Sequence, residues 1–86
     1  MNVELPSVSS LRGEDVRVGA TIKALREARG LTQEQLARRA QLSRPYLANV
    51  EVGRKRLSVR SAARVAAALA VPQIALIAPE AGGEAA

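Results

Sequence analysis

Apolar residues recur along the middle of the chain at helical spacing and divide it into short amphipathic segments. Val18, Ile22 and Leu25 stand at i, i+4 and i+7, which predicts a first helix over residues 15–29. The same kind of periodicity predicts four further helices, over residues 33–40, residues 44–52, a segment that follows Ser58, and residues 72–77. The pattern therefore predicts an all-α fold, a compact domain of four to five helices.

Residues 31–53, LTQEQLARRAQLSRPYLANVEVG, are typical of two short helices joined by a tight turn. Thr32, followed three residues later by Gln35, predicts a capping box at the start of the first of these helices. Ser43 predicts the N-cap of the second, and Pro45 suits a first helical turn because the N–H that it lacks would have no partner there. These signals predict a helix-turn-helix.

The second of these two helices and the loop behind it carry long polar or basic side chains, namely Arg44, Tyr46, Asn49, Arg54, Lys55 and Arg56. Guanidinium and amide groups match the edges of guanine and adenine in the major groove of DNA. The alternative is an ordinary helical hairpin with a solvated basic face. Small Ala37, placed where the helices are expected to cross, favours the DNA-binding interpretation together with the complete capping pattern.

These residues resemble the helix-turn-helix of the Cro and lambda-repressor-like family, also called the XRE family. The resemblance extends from about residue 18 to residue 77, and its motif positions are Thr32, Gln33, Leu36, Ala37, Ser43, Leu47, Val50, Glu51 and Gly53. The chain departs from the family at Gln41, where Gly is usual, and at Leu57, where Pro is frequent. Because Gln in a left-handed conformation costs about 1 kcal/mol, we expect the turn to differ locally. The resemblance implies a lambda-repressor-like DNA-binding domain.

The resemblance also implies roles for individual residues. Base edges would be read by Arg44, Pro45 and Asn49, with Arg44 favouring guanine, Asn49 favouring adenine, and Pro45 limited to apolar contact such as a thymine methyl group. The DNA backbone would be contacted by Gln33, Ser43, Tyr46, Arg54, Lys55 and Arg56. Tyr46 has an alternative role as a partly buried packing residue.

Charge and composition narrow the possible functions. The net charge is +5, and residues 15–77 carry twelve basic against four acidic side chains, so a polyanion is the natural partner. The chain has no cysteine and no histidine, which removes disulfides, thiolate metal sites and the commonest general base. We therefore expect neither an enzyme nor a bound metal or cofactor. Glu51 is expected to be a structural partner of a nearby arginine or backbone amide.

The domain organisation follows from these boundaries. Residues 1–14 are expected to form a flexible arm, or else a strand around Val3 and Leu5 against a partner chain; residues 15–77 form the helix-turn-helix domain. Residues 78–86 are expected to form a disordered acidic tail. No apolar run is long enough to span a membrane, and no signal peptide is present. A cytoplasmic, nucleoid-associated protein is expected.

One such unit reads only a few base pairs, which is too little to select a site in a genome. A homodimer on a palindromic operator would solve this, and the apolar fifth helix, with Ile74, Leu76 and Ile77, is the candidate interface. The competing interpretation is that Leu76 caps the core. The leading function is a sequence-specific regulator of transcription that binds double-stranded DNA, a repressor in particular. The alternative is an antitoxin or restriction-modification-type controller that also binds a partner protein.

Overall fold

The computed structural model describes residues 13–77, which form five helices and no strand. The helices are α1 (Gly13–Ala28), α2 (Gln33–Ala40), α3 (Arg44–Glu51), α4 (Val59–Leu69) and α5 (Ile74–Ile77). The prediction of an all-α domain of four to five helices is confirmed. Helix α1 begins two residues before its predicted start, so residues 13–14 belong to it and not to an arm. The rest of the predicted arm, residues 1–12, and the predicted tail, residues 78–86, lie outside the described residues.

Three helices begin at the hydroxyl caps that the sequence predicts. At α2, Thr32 Oγ1 accepts from the Gln35 N–H at 3.0 Å and Gln35 Oε1 accepts from the Thr32 N–H at 2.8 Å, which completes the capping box. Ser43 and Ser58 cap α3 and α4 without the reciprocal bond: Ser43 accepts the Tyr46 N–H, and Ser58 accepts the Ser61 N–H.

The five helices of residues 13–77 are too short or too polar for any of them to span a membrane.

Two helix ends force residues other than glycine into the left-handed region. Gln41 and Ala70, which follow α2 and α4, both have φ 60° and ψ 42°. At the first of these ends the Leu42 N–H donates to the Ala37 carbonyl at 2.8 Å, which satisfies a carbonyl of the last turn. The expectation that the turn at Gln41 differs locally is therefore wrong: Gln41 adopts the conformation usual for glycine and bears its strain.

The core is aliphatic, and every helix contributes to it. Helix α2 packs against α3 and α4, α1 packs against α3, and the short α5 packs against α1 and α4. The largest fully buried side chains are Ile22, Leu36, Leu47, Val50, Val65, Leu69 and Leu76. Because α3 buries Leu47 and Val50 in this core, its opposite side faces solvent.

Helices α1 and α3 touch backbone to backbone at Gly19. A Cβ atom on Gly19 would lie 2.7 Å from the carbonyl oxygen of Glu51 and closer still to that of Val50. No side chain fits there, so this glycine allows the close approach of the two helices. Gly53, just after α3, has φ 87° and lies against Val16 of α1 in the same way.

Candidate nucleic-acid interface

Helix α3 carries the three residues predicted to read bases. Arg44 and Pro45 are exposed, and Asn49 is half-buried one turn further along. Pro45 lies in the first turn, where its ring fits without loss of a hydrogen bond. The structure thus brings the three residues together on one helix and leaves their side chains on or near the surface.

Gln33 connects the two ends of α3. Its amide nitrogen donates to Glu51 Oε1 at 3.0 Å, and its Oε1 accepts from Arg44 Nη1 at 3.3 Å. One hydrogen of the amide group is used by Glu51, which leaves the second available to an acceptor in solution. Gln33 also stands at the first position of α2, where the helix N-terminus favours anions. This side chain is therefore held in place and can still donate to a phosphate.

A buried ion pair anchors the C-terminal end of α3. Arg26 Nε donates to Glu51 Oε2 at 2.7 Å, Arg26 Nη2 donates to Oε1 at 3.1 Å, and Arg26 Nη1 donates to the Leu31 carbonyl at 2.8 Å. The side chains of Arg26 and Glu51 are only 10% and 1% exposed. The hydrogen bond to Glu51 raises the pKa of Arg26 above its ordinary value and outweighs the lowering caused by burial. The pair fixes α3 relative to α1.

The prediction that Glu51 serves a nearby arginine is confirmed, and that arginine is Arg26. Arg26 lies on the buried face of α1. Arg26 follows Val18 and Ile22 at intervals of four residues and continues their buried stripe. A charged side chain is tolerated there because Glu51 neutralises it through two hydrogen bonds and the Leu31 carbonyl accepts a third.

The two hydroxyl groups of α3 predicted to contact phosphates differ in what they have left to donate. Ser43 accepts the Tyr46 N–H at 3.1 Å, so its own proton is unused by the cap. Tyr46 donates its only proton to the Arg56 carbonyl at 3.0 Å, and its half-buried ring packs against the core. A phosphate offers only acceptors, so Tyr46 cannot bond to it while that contact lasts. The structure supports the packing role of Tyr46.

The loop after α3 is basic and is fixed at its start by α3. The backbone N–H groups of Arg54 and Lys55 both donate to the Asn49 carbonyl, at 2.9 and 3.3 Å. The side chains of these two residues are exposed. Arg56 Nε lies 3.6 Å from Asp15 Oδ1 of α1. Three basic side chains therefore border the exposed side of α3, one of them paired with a carboxylate.

Helix α5 divides the three residues of the predicted dimer interface. Leu76 is 1% exposed and belongs to the core, so its assignment to an exposed interface is wrong and the competing interpretation is correct. Ile74 and Ile77 are 64% and 48% exposed. A four-residue helix that packs on α1 and α4 can turn one side chain inward and leaves the other two outside. The prediction of an interface remains for Ile74 and Ile77.

Three residues that shape the site were missed by the sequence-based assignment. Gly19 had a usable signal, since an isolated glycine inside a helical pattern usually has a packing reason. Arg26 and Asp15 had none, because each acquires its role from a partner that is distant in sequence: Glu51 for Arg26, and Arg56 for Asp15.

Comparison with known proteins agrees with this geometry. A family described as helix-turn-helix matches residues 22–72. An immunity repressor protein of Bacillus phage phi105 is 46% identical over 63 residues, 73% of this chain but only 44% of the repressor. An uncharacterised HTH-type transcriptional regulator of Sinorhizobium fredii is 37% identical over 72% of this chain and 80% of its own length. The restriction-modification controller protein C.AhdI from Aeromonas hydrophila superposes with a TM-score of 0.74, at 34% identity over 76% of this chain and 98% of the controller.

The matched region contains the capping box, the turn, α3 and the basic loop described above. Members of this family are DNA-binding regulators of transcription and not enzymes. This protein is therefore a member of the Cro and lambda-repressor-like, or XRE, family of helix-turn-helix DNA-binding regulators.

Proposed function

We propose that this protein represses transcription by binding, as a homodimer, to a palindromic operator in double-stranded DNA. The observation that carries the proposal is that exposed Arg44 and Pro45 and half-buried Asn49 share a helix whose far end is locked by Glu51. A fixed helix with free polar side chains can read bases without first being ordered, so less free energy is lost on binding. Similarity to the phage immunity repressor supports repression as the outcome.

In the proposed complex α3 lies in the major groove and its first turn meets the base edges. Arg44 reaches guanine and Asn49 reaches adenine, while Pro45 offers apolar contact to a thymine methyl group. To reach a base, Arg44 gives up its bond to Gln33, which at 3.3 Å is long and exposed. The free-energy cost of that exchange is small because water can replace the lost hydrogen bond at both Arg44 and Gln33.

Phosphate contacts hold the domain in register on the duplex. Gln33 and Ser43 each have a proton that the hydrogen bonds described above do not use, which supports a contact from each to a phosphate oxygen. Arg54 and Lys55 add positive charge at the other end of α3. These contacts set affinity and its salt dependence more than sequence preference.

A specificity test separates the two kinds of contact. Arg44→Ala and Asn49→Ala should each lose about 1–3 kcal/mol on the selected operator and relax the preference at one base pair. Lys55→Ala, the control, should weaken binding to the operator and to random DNA alike. Competition titrations with single-base operator variants measure the difference. If Arg44→Ala weakened operator and random DNA by the same factor, Arg44 would be a phosphate contact and the proposed base reading would be wrong.

Dimerisation through α5 is the second part of the proposal. Ile74 and Ile77 expose apolar surface on one short helix, and such surface on a small domain commonly marks an interface. Two subunits would place their α3 helices in successive major grooves, on half-sites about one helical turn apart. A twofold operator follows from a twofold dimer.

The dimer is tested with the same substitution at two adjacent residues, for which we expect different results. Ile77→Glu should weaken self-association and operator binding together while the helix content is kept, because Ile77 is half-exposed. Leu76→Glu buries a charge in the core and should unfold the domain instead. Sedimentation and circular dichroism distinguish these outcomes. An Ile77→Glu protein with unchanged mass and unchanged operator affinity would rule out this surface as the interface.

A second candidate function is that of a controller or antitoxin that binds a partner protein as well as DNA. The similarity to the controller C.AhdI, which covers nearly all of that protein, favours a controller. Co-purification of a small protein from the native host, retained by an Arg44→Ala variant whose operator binding is weakened, would support the second function. In both cases the DNA partner places the protein in the cytoplasm with the nucleoid.

A further inference from the structure

The basic loop, residues 53–57, is held to the rest of the domain at Arg56. The Arg56 carbonyl accepts the Tyr46 hydroxyl proton at 3.0 Å, and Arg56 Nε lies 3.6 Å from Asp15 Oδ1. Leu57, the next residue, is half-buried and packs against the core. Arg56 is therefore fixed through its main chain, its side chain and its neighbour.

Packing alone does not hold the loop in this position. A cavity of about 310 Å³ lies between the loop and α1, with Asp15, Lys55, Arg56 and Ile77 among the residues that line it. Because of this space under the loop, the hydrogen bond from Tyr46 and the ion pair with Asp15 are needed beside the packing of Leu57 to fix Arg56.

Among the residues that the structure describes, the other two cations of the loop make no such ion pair. Within residues 13–77, no carboxylate oxygen lies within 4.0 Å of a side-chain nitrogen of Arg54 or Lys55. Their backbone N–H groups are bonded to Asn49, so both residues keep a fixed position next to α3. Their charges are free to meet phosphates.

Pairing with Asp15 distinguishes Arg56 from Arg54 and Lys55. Its side chain is only 11% exposed, whereas that of Arg56 is 57% exposed. A carboxylate so far removed from water needs a nearby positive charge. A phosphate that drew Arg56 away would remove the ion pair that Asp15 makes within residues 13–77, and the energy of the new contact would be partly offset.

We propose that Arg56 is a positioning residue that neutralises Asp15 and clamps the loop, so that Arg54 and Lys55 are the loop's phosphate contacts. This inference rests on the proposed binding of duplex DNA. The family resemblance implied that Arg56 and Tyr46 contact the DNA backbone. In this proposal Arg56 instead pairs with Asp15, and Tyr46 holds the loop by donating to the Arg56 carbonyl. Asp15 thereby sets how many cations the loop offers to DNA.

The salt dependence of DNA binding tests the assignment, because it counts phosphates directly. Each neutralised phosphate contributes about −0.9 to the slope of log K against log salt concentration on duplex DNA. Lys55→Gln and Arg56→Gln remove the same charge from adjacent residues. Lys55→Gln should make the slope less negative by about 0.9. Arg56→Gln should leave the slope unchanged and lower the affinity by the same factor at every salt concentration, since only the position of the loop is lost.

Two further variants keep the test informative if Arg56→Gln destabilises the fold. Asp15→Asn with Arg56→Gln removes both charges, keeps the net charge of the original chain, and should keep its slope. Asp15→Asn alone releases Arg56 to meet a phosphate and should make the slope more negative by about 0.9. Circular dichroism establishes that each protein used is folded.

An Arg56→Gln slope reduced as much as that of Lys55→Gln, or an Asp15→Asn slope equal to that of the original chain, would overturn the inference. In either case the original chain would still bind duplex DNA with a steep slope, and the proposed function would stand. If the original chain itself bound duplex DNA with no salt dependence, the proposed function would fail and the inference with it.

Discussion

Gly19→Ala is a substitution for which two physical effects predict opposite signs. Alanine inside a helix is favoured over glycine by about 0.5–1 kcal/mol. Against this, the new methyl group would lie 2.7 Å from the Glu51 carbonyl oxygen and closer to that of Val50. Ordinary carbon–oxygen contacts begin at about 3.3 Å, so α3 would have to move outward by at least about 0.6 Å at Glu51.

The clash should win because its partners are backbone atoms of a packed helix. Overpacking costs about 1–3 kcal/mol, and contact with two backbone oxygens places this clash in the upper half of that range. After subtraction of about 1 kcal/mol for the helix preference of alanine, a net destabilisation of about 1–2 kcal/mol remains. For a domain of this size that corresponds to a fall in Tm of about 5–15 °C. The shift also disturbs the bonds between Glu51 and Arg26, so the position of α3 on DNA, and hence the operator affinity, should suffer as well.

Thermal unfolding with Gly13→Ala as the control measures the effect. Gly13 is also in α1, and a Cβ atom there meets nothing within 4 Å, so this variant should be as stable as the original chain or slightly more stable. If Gly19→Ala matched or exceeded the stability of Gly13→Ala, the close contact between α1 and α3 would not have the energetic weight given to it.

Two further substitutions test the fold that supports the site, each by urea unfolding. Gln41→Gly should stabilise the domain by about 0.5–1 kcal/mol, because relief of left-handed strain exceeds the added entropy of the unfolded chain; an unchanged midpoint would mean that Gln41 is unstrained. Glu51→Ala should cost about 3–5 kcal/mol, since it leaves Arg26 charged and buried. Glu34→Ala, which breaks only an exposed pair with Arg38, should cost less than about 0.5 kcal/mol, and equal losses would contradict the importance given to burial.

Local signals in the sequence were sufficient for the elements of the helix-turn-helix. Thr32, Ser43 and Ser58 predict where three helices begin, because a capping hydroxyl acts within three residues of itself. The turn at Gln41 was harder. A glutamine side chain disfavours the left-handed backbone conformation, but the packing of α2 against α3 imposes that conformation on Gln41.

The connections between helices were not accessible from local patterns. Arg26 looks like a surface cation until Glu51 is brought to it from 25 residues away. Leu76 looks like its neighbours Ile74 and Ile77, and only the packing of α5 on α1 and α4 separates it from them. Arg56 likewise resembles Arg54 and Lys55 in sequence, and the difference between them is made by Asp15. These distinctions depend on tertiary contacts.

The most direct test of the central claim is selection of DNA fragments by the purified protein from a random library, followed by sequencing. If α3 reads bases as proposed, the selected fragments should share an inverted repeat whose half-sites are about one helical turn apart, with guanine and adenine at positions that become tolerant in Arg44→Ala and Asn49→Ala. Recovery of fragments with no shared sequence, at the same yield for these variants as for the original chain, would contradict sequence-specific binding through α3.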